Sequence, residues 1–112
     1  MRFLMLSGNG GNEPDETLYV EMGKFIEELS KQGVLLATGG LDPVGTRVTS
    51  SGGELTFTDG PFTEAKETIG GFALVEVRSK EEAIEITRRF WKIVGDGQGY
   101  IHQVFGPEDA ES

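Results

Sequence analysis

The chain opens on a run that is apolar on both alternating faces. Phe3 and Met5 point one way and Leu4 and Leu6 the other, so Arg2 to Ser7 reads as a strand covered on both sides. A glycine-rich loop, Gly8-Asn9-Gly10-Gly11-Asn12, leads to Pro14-Asp15-Glu16, where Asp15 can cap a helix and the acidic residues favour its positive end. Along that helix Leu18, Met22, Phe25, Ile26 and Leu29 recur at spacings of three and four, a single apolar stripe, and Gly33 ends it as a left-handed cap. Val34 to Thr38 is a second strand, apolar throughout, closed by Gly39-Gly40. Thr46 to Thr49 and Glu54 to Thr58 alternate around Ser50-Ser51-Gly52-Gly53 and predict a hairpin with a four-residue loop. Only Val44, Val48, Leu55 and Phe57 offer that hairpin a buried face, which places it at a sheet edge or over a cleft. Ile69 to Val77 is the strongest strand, with Gly70-Gly71 marking a bulge or a close approach. Ser79-Lys80-Glu81-Glu82 is a capping box opening a helix faced by Ala83, Ile84, Thr87, Phe90, Trp91 and Val94 and stopped by Gly95. Tyr100 to Phe105 alternates as the last strand.

The order is that of a ferredoxin-like βαββαβ α+β domain carrying an inserted β-hairpin, with two helices on one face of an antiparallel sheet. Such a sheet leaves its other face bare, yet these strands are apolar on both sides. A second sheet is therefore expected, most economically from a twofold homodimer, because a monomer would expose an apolar patch well above ~600 Å².

Composition narrows the picture. The 112 residues carry no cysteine, which removes disulfides, thiol nucleophiles and Cys-based metal sites and suits a reducing cytoplasm. Ten Lys+Arg against 19 Asp+Glu give a net charge of -9, with no basic stripe to neutralise phosphates, so no nucleic-acid partner is expected. Nowhere do about 18 apolar residues run together, so no membrane partner is expected either. Residues 1–107 read as one domain and 108–112 as a solvated acidic tail. Gly8 to Glu13 lacks the third glycine of a dinucleotide fingerprint, Gly23-Lys24 sits inside a helix, and there is no Gly-x-Ser-x-Gly elbow. One histidine and no cysteine leave no recognisable metal spacing, so neither cofactor nor metal is expected.

The candidate chemistry centres on Asp59-Gly60-Pro61-Phe62. An aspartate in a turn commonly bonds the amide two residues on, but here that residue is Pro61, which has no N–H. Gly60 permits a backbone shape closed to other residues, and the corner presents an acid. Two readings stand: Asp59 caps the stretch Thr63 to Glu67 while Phe62 plugs the core, or Asp59 faces a ligand. Lys66 and Glu67 are either a solvated pair or a set that orients an acidic or hydroxylated ligand, and Arg47 would bind a carboxylate if the hairpin folded over the cleft. His102 is a lone polar residue on a strand, either a surface position or, if it converges on Asp59, a partner in proton transfer.

Thr58 to Glu67, followed by Ile69-Gly70-Gly71-Phe72 and a helix starting Glu81-Glu82-Ala83, resembles the YCII-related domain family, specifically its DGPF-type branch. The resemblance takes in the opening strand, the helix exit Gly33-Val34-Leu35 and the turn Gly39-Gly40-Leu41, so it covers nearly the whole chain. It implies a ferredoxin-like fold forming a dimeric α/β barrel, with a cleft beside the sheet-to-sheet interface that would take a small molecule. Activity in the family is mostly unassigned. Its implied roles are an accessory or sensing module, some members occurring alongside sigma-factor-like regulators, or a proton-transfer enzyme of the lactone isomerase or dehydrochlorinase kind. Relatives of the enzyme kind place the histidine of a His-Asp pair around the first helix, whereas this chain has only His102.

Overall fold

Capping chemistry sets both helices. In the computed structural model, which describes residues 1–8, 15–42, 44–60, 69–107 and 109, the carboxylate of Asp15 accepts from the Leu18 amide at 2.7 Å and starts α1, Glu16–Lys31. At its far end Gly33 adopts φ 73°, and the Val34 amide reaches the Leu29 carbonyl at 3.0 Å while the Gly33 amide reaches that of Ser30 at 3.1 Å. That is the paired bond pattern of a Schellman motif, and it satisfies two carbonyls the helix would otherwise leave open. The second helix, α2 (Lys80–Val94), is capped by Ser79, whose hydroxyl accepts from the Glu82 amide at 3.2 Å. Glu82 reaches back to the Arg78 amide at 3.2 Å, one residue beyond the usual reciprocal bond of a capping box.

Four strands form the main sheet: β1 (Arg2–Gly8), β2 (Leu35–Gly40), β5 (Ile69–Glu76) and β6 (Gly99–Val104). Their order is β2-β5-β1-β6, with antiparallel pairing throughout. Leu35 pairs with Val75 and Ala37 with Leu74, so β2 carries a bulge at Leu36. Ser7 pairs with Gly71 but Gly8 with Ile69, so Gly70 is an extra residue on β5, the irregularity expected of the Gly70-Gly71 pair.

Cross-strand partners share a face. One face carries Phe3, Met5, Ser7, Gly71, Ala73, Val75, Gly99 and Ile101, and both helices lie on it. Phe3, Val75 and Val77 are buried there with Phe25 and Leu29 of α1 and Ala83 and Ile86 of α2. Each large apolar side chain of this cluster contributes about 1.5–3 kcal/mol by leaving water. Ile86 takes the buried position on α2, whereas Ile84 is only half-buried. The helices are tied across their outer side by Arg89, which pairs with Glu28 and lies 4.9 Å over the ring of Phe25.

The hairpin, β3 (Thr46–Ser51) and β4 (Glu54–Asp59), forms a two-stranded sheet of its own. Its loop has two residues, not the four expected: Ser51 pairs with Glu54, and Gly52 and Gly53 both take positive φ, 60° and 83°. Two consecutive left-handed residues match the right-handed strand twist, and glycine adopts them without steric cost. The hairpin makes no substantial packing contact with the main sheet or the helices, and all twelve of its strand residues are exposed. The radius of gyration is accordingly 16.4 Å, against about 13 Å for a compact chain of this length.

Candidate functional site

The register of the main sheet grades its helix-covered face from large to small. The row at one end is Leu35, Val75 and Phe3, and the next is Thr38, Ala73, Met5 and Ile101. The row after that is Gly40, Gly71, Ser7 and Gly99, which presents one hydroxymethyl group across four strands. Helices that rest on Phe3 and Val75 cannot also close onto a row without side chains. The result is a cavity of about 590 Å³ between sheet and helices, within the range of small-molecule sites.

Its helical walls include Met22, Phe25 and Ile26 from α1 and Thr87, Phe90 and Trp91 from α2. Phe90 and Trp91 meet edge to face at 5.3 Å and 85°. Trp91 is held against the start of β6 by missing side chains: a Cβ on Gly97 would stand 2.6 Å from its ring, and one on Gly99 3.0 Å from it. Among the described residues no charged side chain lines the cavity. Two of its hydroxyls are spent on carbonyls, Thr38 donating to Phe72 at 2.9 Å and Thr87 to Ala83 at 2.8 Å.

The residues singled out in the sequence stand elsewhere. Asp59 ends β4, and its carboxylate accepts from the Thr46 hydroxyl at 2.7 Å. The partner that Pro61 cannot supply comes from across the hairpin. Gly60 donates to the Gly45 carbonyl at 2.8 Å, so the corner is clamped at its base. Arg47 is exposed on β3 opposite Thr58, and neither it nor Asp59 nor Gly60 lines the cavity. His102 sits on β6 opposite Leu4, on the face away from the helices, with its ring stacked on Tyr100 at 6.3 Å. Asp59 and His102 thus belong to different sheets, and each has a local partner. Pro61, Phe62, Lys66 and Glu67 lie outside the described residues, as does the stretch that Asp59 was expected to cap.

A model of the YCII-related domain matches residues 1–92. The chain belongs to the YCII-related domain family. Among solved structures, this YCII-related chain is similar to 5-chloro-2-hydroxyhydroquinone dehydrochlorinase from Burkholderia phenoliruptrix, determined in complex with 2,5-dihydroxybenzoquinone. The TM-score is 0.51 at 16% identity, with 96% of this chain and 97% of that chain covered, a likeness of fold. No curated protein matches in sequence.

Thr87, Phe90 and Trp91 are legible in the sequence as one helix face, but nothing local says that it overlies Gly40, Gly71 and Gly99. Their alignment in one row depends on register, which the Gly70 bulge and the Leu36 bulge both shift.

Proposed function

We propose that this YCII-related protein binds a small molecule in the cavity between the main sheet and the two helices, as an accessory or sensing module. The observation that carries this reading is the cavity itself: about 590 Å³, walled by apolar and aromatic side chains, at the end of the sheet where the row of side chains is missing. The similar dehydrochlorinase, in complex with a planar dihydroxyquinone, supports the idea that this fold accepts a ring of that size. The test is a thermal-shift screen of the intact protein with lactones, phenols, quinones and small carboxylic acids, followed by titration of Trp91 fluorescence. A ligand at one hundred times its Kd adds about 2.7 kcal/mol and raises the midpoint by roughly 10 °C or more. The absence of any shift across such a panel would overturn the proposal.

The assembly we propose is a homodimer with ferredoxin-like subunits, closing as a dimeric α/β barrel. The order β2-β5-β1-β6 with both helices on one face supports the ferredoxin-like reading. The opposite face carries Leu4, Leu6, Phe72, Leu74 and Val104, all only half-buried. On the hairpin, Val48, Leu55 and Phe57 share one face and are 57%, 61% and 65% exposed. An isolated hairpin with a bare apolar side is marginal in water, so both surfaces call for a cover that a second copy supplies. The cytoplasm suits such a cysteine-free, acidic protein, and no described helix is long and apolar enough to cross a membrane.

A second reading, a proton-transfer enzyme of the dehydrochlorinase or lactone isomerase kind using Asp59, draws on the shared fold. Asp59 lies on the same hairpin face as Val48 and Phe57, the face the dimer would turn inward. Release of chloride from chlorinated hydroquinones, lost in Asp59→Asn, would establish it.

A further inference from the structure

The polar groups of the cavity say which ligand it takes. This inference rests on the cavity being a binding site and adds the chemical class of ligand and the residue that selects it.

Ser7 lies in the middle of the side-chain-free row, flanked across the strands by Gly71 and Gly99. Its Oγ leans over Gly71, where an added Cβ would meet it at 3.2 Å. Ser7 is half-buried, and among the described residues its hydroxyl has no hydrogen-bond partner. Thr38 and Thr87 have committed their protons to carbonyls, and Tyr100, which pairs with Leu6 on the other face of the sheet, has its hydroxyl engaged by the Gln98 amide nitrogen at 3.2 Å. Tyr19, at the rim, is 67% exposed. Among the described residues the sheet therefore offers the cavity an uncommitted hydroxyl at Ser7, able to donate and to accept. Around it are aromatic faces and edges, and no charge from the described residues.

We infer that the cavity selects neutral, planar aromatic ligands bearing a hydroxyl or carbonyl, and that Ser7 is the specificity-determining residue that receives that group. Two physical arguments converge on this class. A carboxylate would leave water for a site whose described lining holds no charge and is mainly apolar, which does not repay its desolvation. A hydrocarbon would leave the Ser7 hydroxyl dry and unpaired, whereas a phenol or quinone satisfies it. The missing side chains at Gly40 and Gly71 let a flat ring lie on the sheet with its substituent at Ser7, beside Trp91, whose indole already covers Gly99. The acidic ligands expected from Lys66 and Arg47 are thus the less favoured ligands of this cavity.

The experiment compares three probes of one shape, 2-naphthol, naphthalene and 2-naphthoate, by calorimetry and ligand-observed NMR on the intact protein. Wild-type protein binds 2-naphthol at least tenfold more tightly than 2-naphthoate. Ser7→Ala weakens 2-naphthol about five- to tenfold and leaves naphthalene within twofold. Ser7→Thr, which keeps the hydroxyl on a residue suited to a strand, retains the preference. Equal losses for naphthol and naphthalene in Ser7→Ala, no loss for either, or naphthoate binding as tightly as naphthol would each overturn the inference while leaving the cavity a binding site. Failure of all three probes to bind, with the wild-type fold verified by circular dichroism, would overturn both.

Discussion

At the scale of single residues, glycine divides here into positions that geometry requires and one that it does not. A Cβ on Gly99 would stand 2.3 Å from the Leu6 carbonyl oxygen, so the backbone of β1 itself would have to move. Gly99→Ala is expected to cost about 2–3 kcal/mol in urea unfolding, the upper range for overpacking. Gly23, by contrast, lies inside α1 with nothing within 4 Å of its added Cβ. Gly23→Ala is expected to stabilise by about 0.5–1 kcal/mol, the helix-interior difference between the two residues. The two substitutions share their chemistry, so opposite signs in one assay test the register of β6 against β1 directly. In the sequence alone the two glycines differ only in their surroundings. Gly23 is legible as a helix interior from the stripe around it, but nothing local says that Gly99 pairs with Ser7 and abuts the Leu6 carbonyl.

At the scale of elements, the local signals were legible and the long-range ones were not. Asp15, Gly33, Ser79 and Gly95 mark the helix ends because caps act within a few residues, and each is found doing so. Asp15→Ala, which removes the bond to the Leu18 amide, is expected to cost about 1 kcal/mol. The hairpin is legible as a hairpin, but the length of its loop is not, since Ser50 and Ser51, which pair with Leu55 and Glu54, lack the side chains that advertise a strand. Its placement was further from reach. An amphipathic strand pair records that one face wants cover, and not which surface provides it. Because the hairpin makes no substantial contact with the rest of its own chain, its loss is predicted to spare the subunit fold. Joining Gly45 directly to Gly60, already hydrogen-bonded at 2.8 Å, deletes it with little backbone rearrangement. The shortened protein should keep its helical circular dichroism and melt within a few degrees of the parent when both are dilute. A large loss of stability in dilute solution would show that the hairpin folds back on its own sheet.

At the scale of the whole molecule, the two faces of the main sheet are assigned different work, and that separation is testable. The helix-covered face holds the cavity; the bare face and the hairpin hold the apolar surface that a second copy would cover. The accessible surface is 8347 Å², where a compact 12.1 kDa chain exposes about 6,000 Å², and the excess is larger than the ~800 Å² a standard interface removes from each partner. Light scattering on the eluted protein at micromolar concentration is therefore expected to give twice the chain mass of 12.1 kDa. Leu74 is the discriminating position: it lies on central strand β5, half-buried on the bare face, and does not line the cavity. Leu74→Lys places a charge where the partner sheet would exclude water, a position that costs several kcal/mol unless the charge is paired. In a lone subunit the same lysine reaches solvent by extending its stem. The variant should elute as a folded monomer that still binds cavity ligands with wild-type affinity, because Leu74 pairs with Leu4 on the face away from the helices and is not among the residues that line the cavity. A Leu74→Lys protein that remains dimeric would place the interface elsewhere. One that becomes monomeric and loses ligand would mean that the cavity depends on the partner, and that the two faces act as one site.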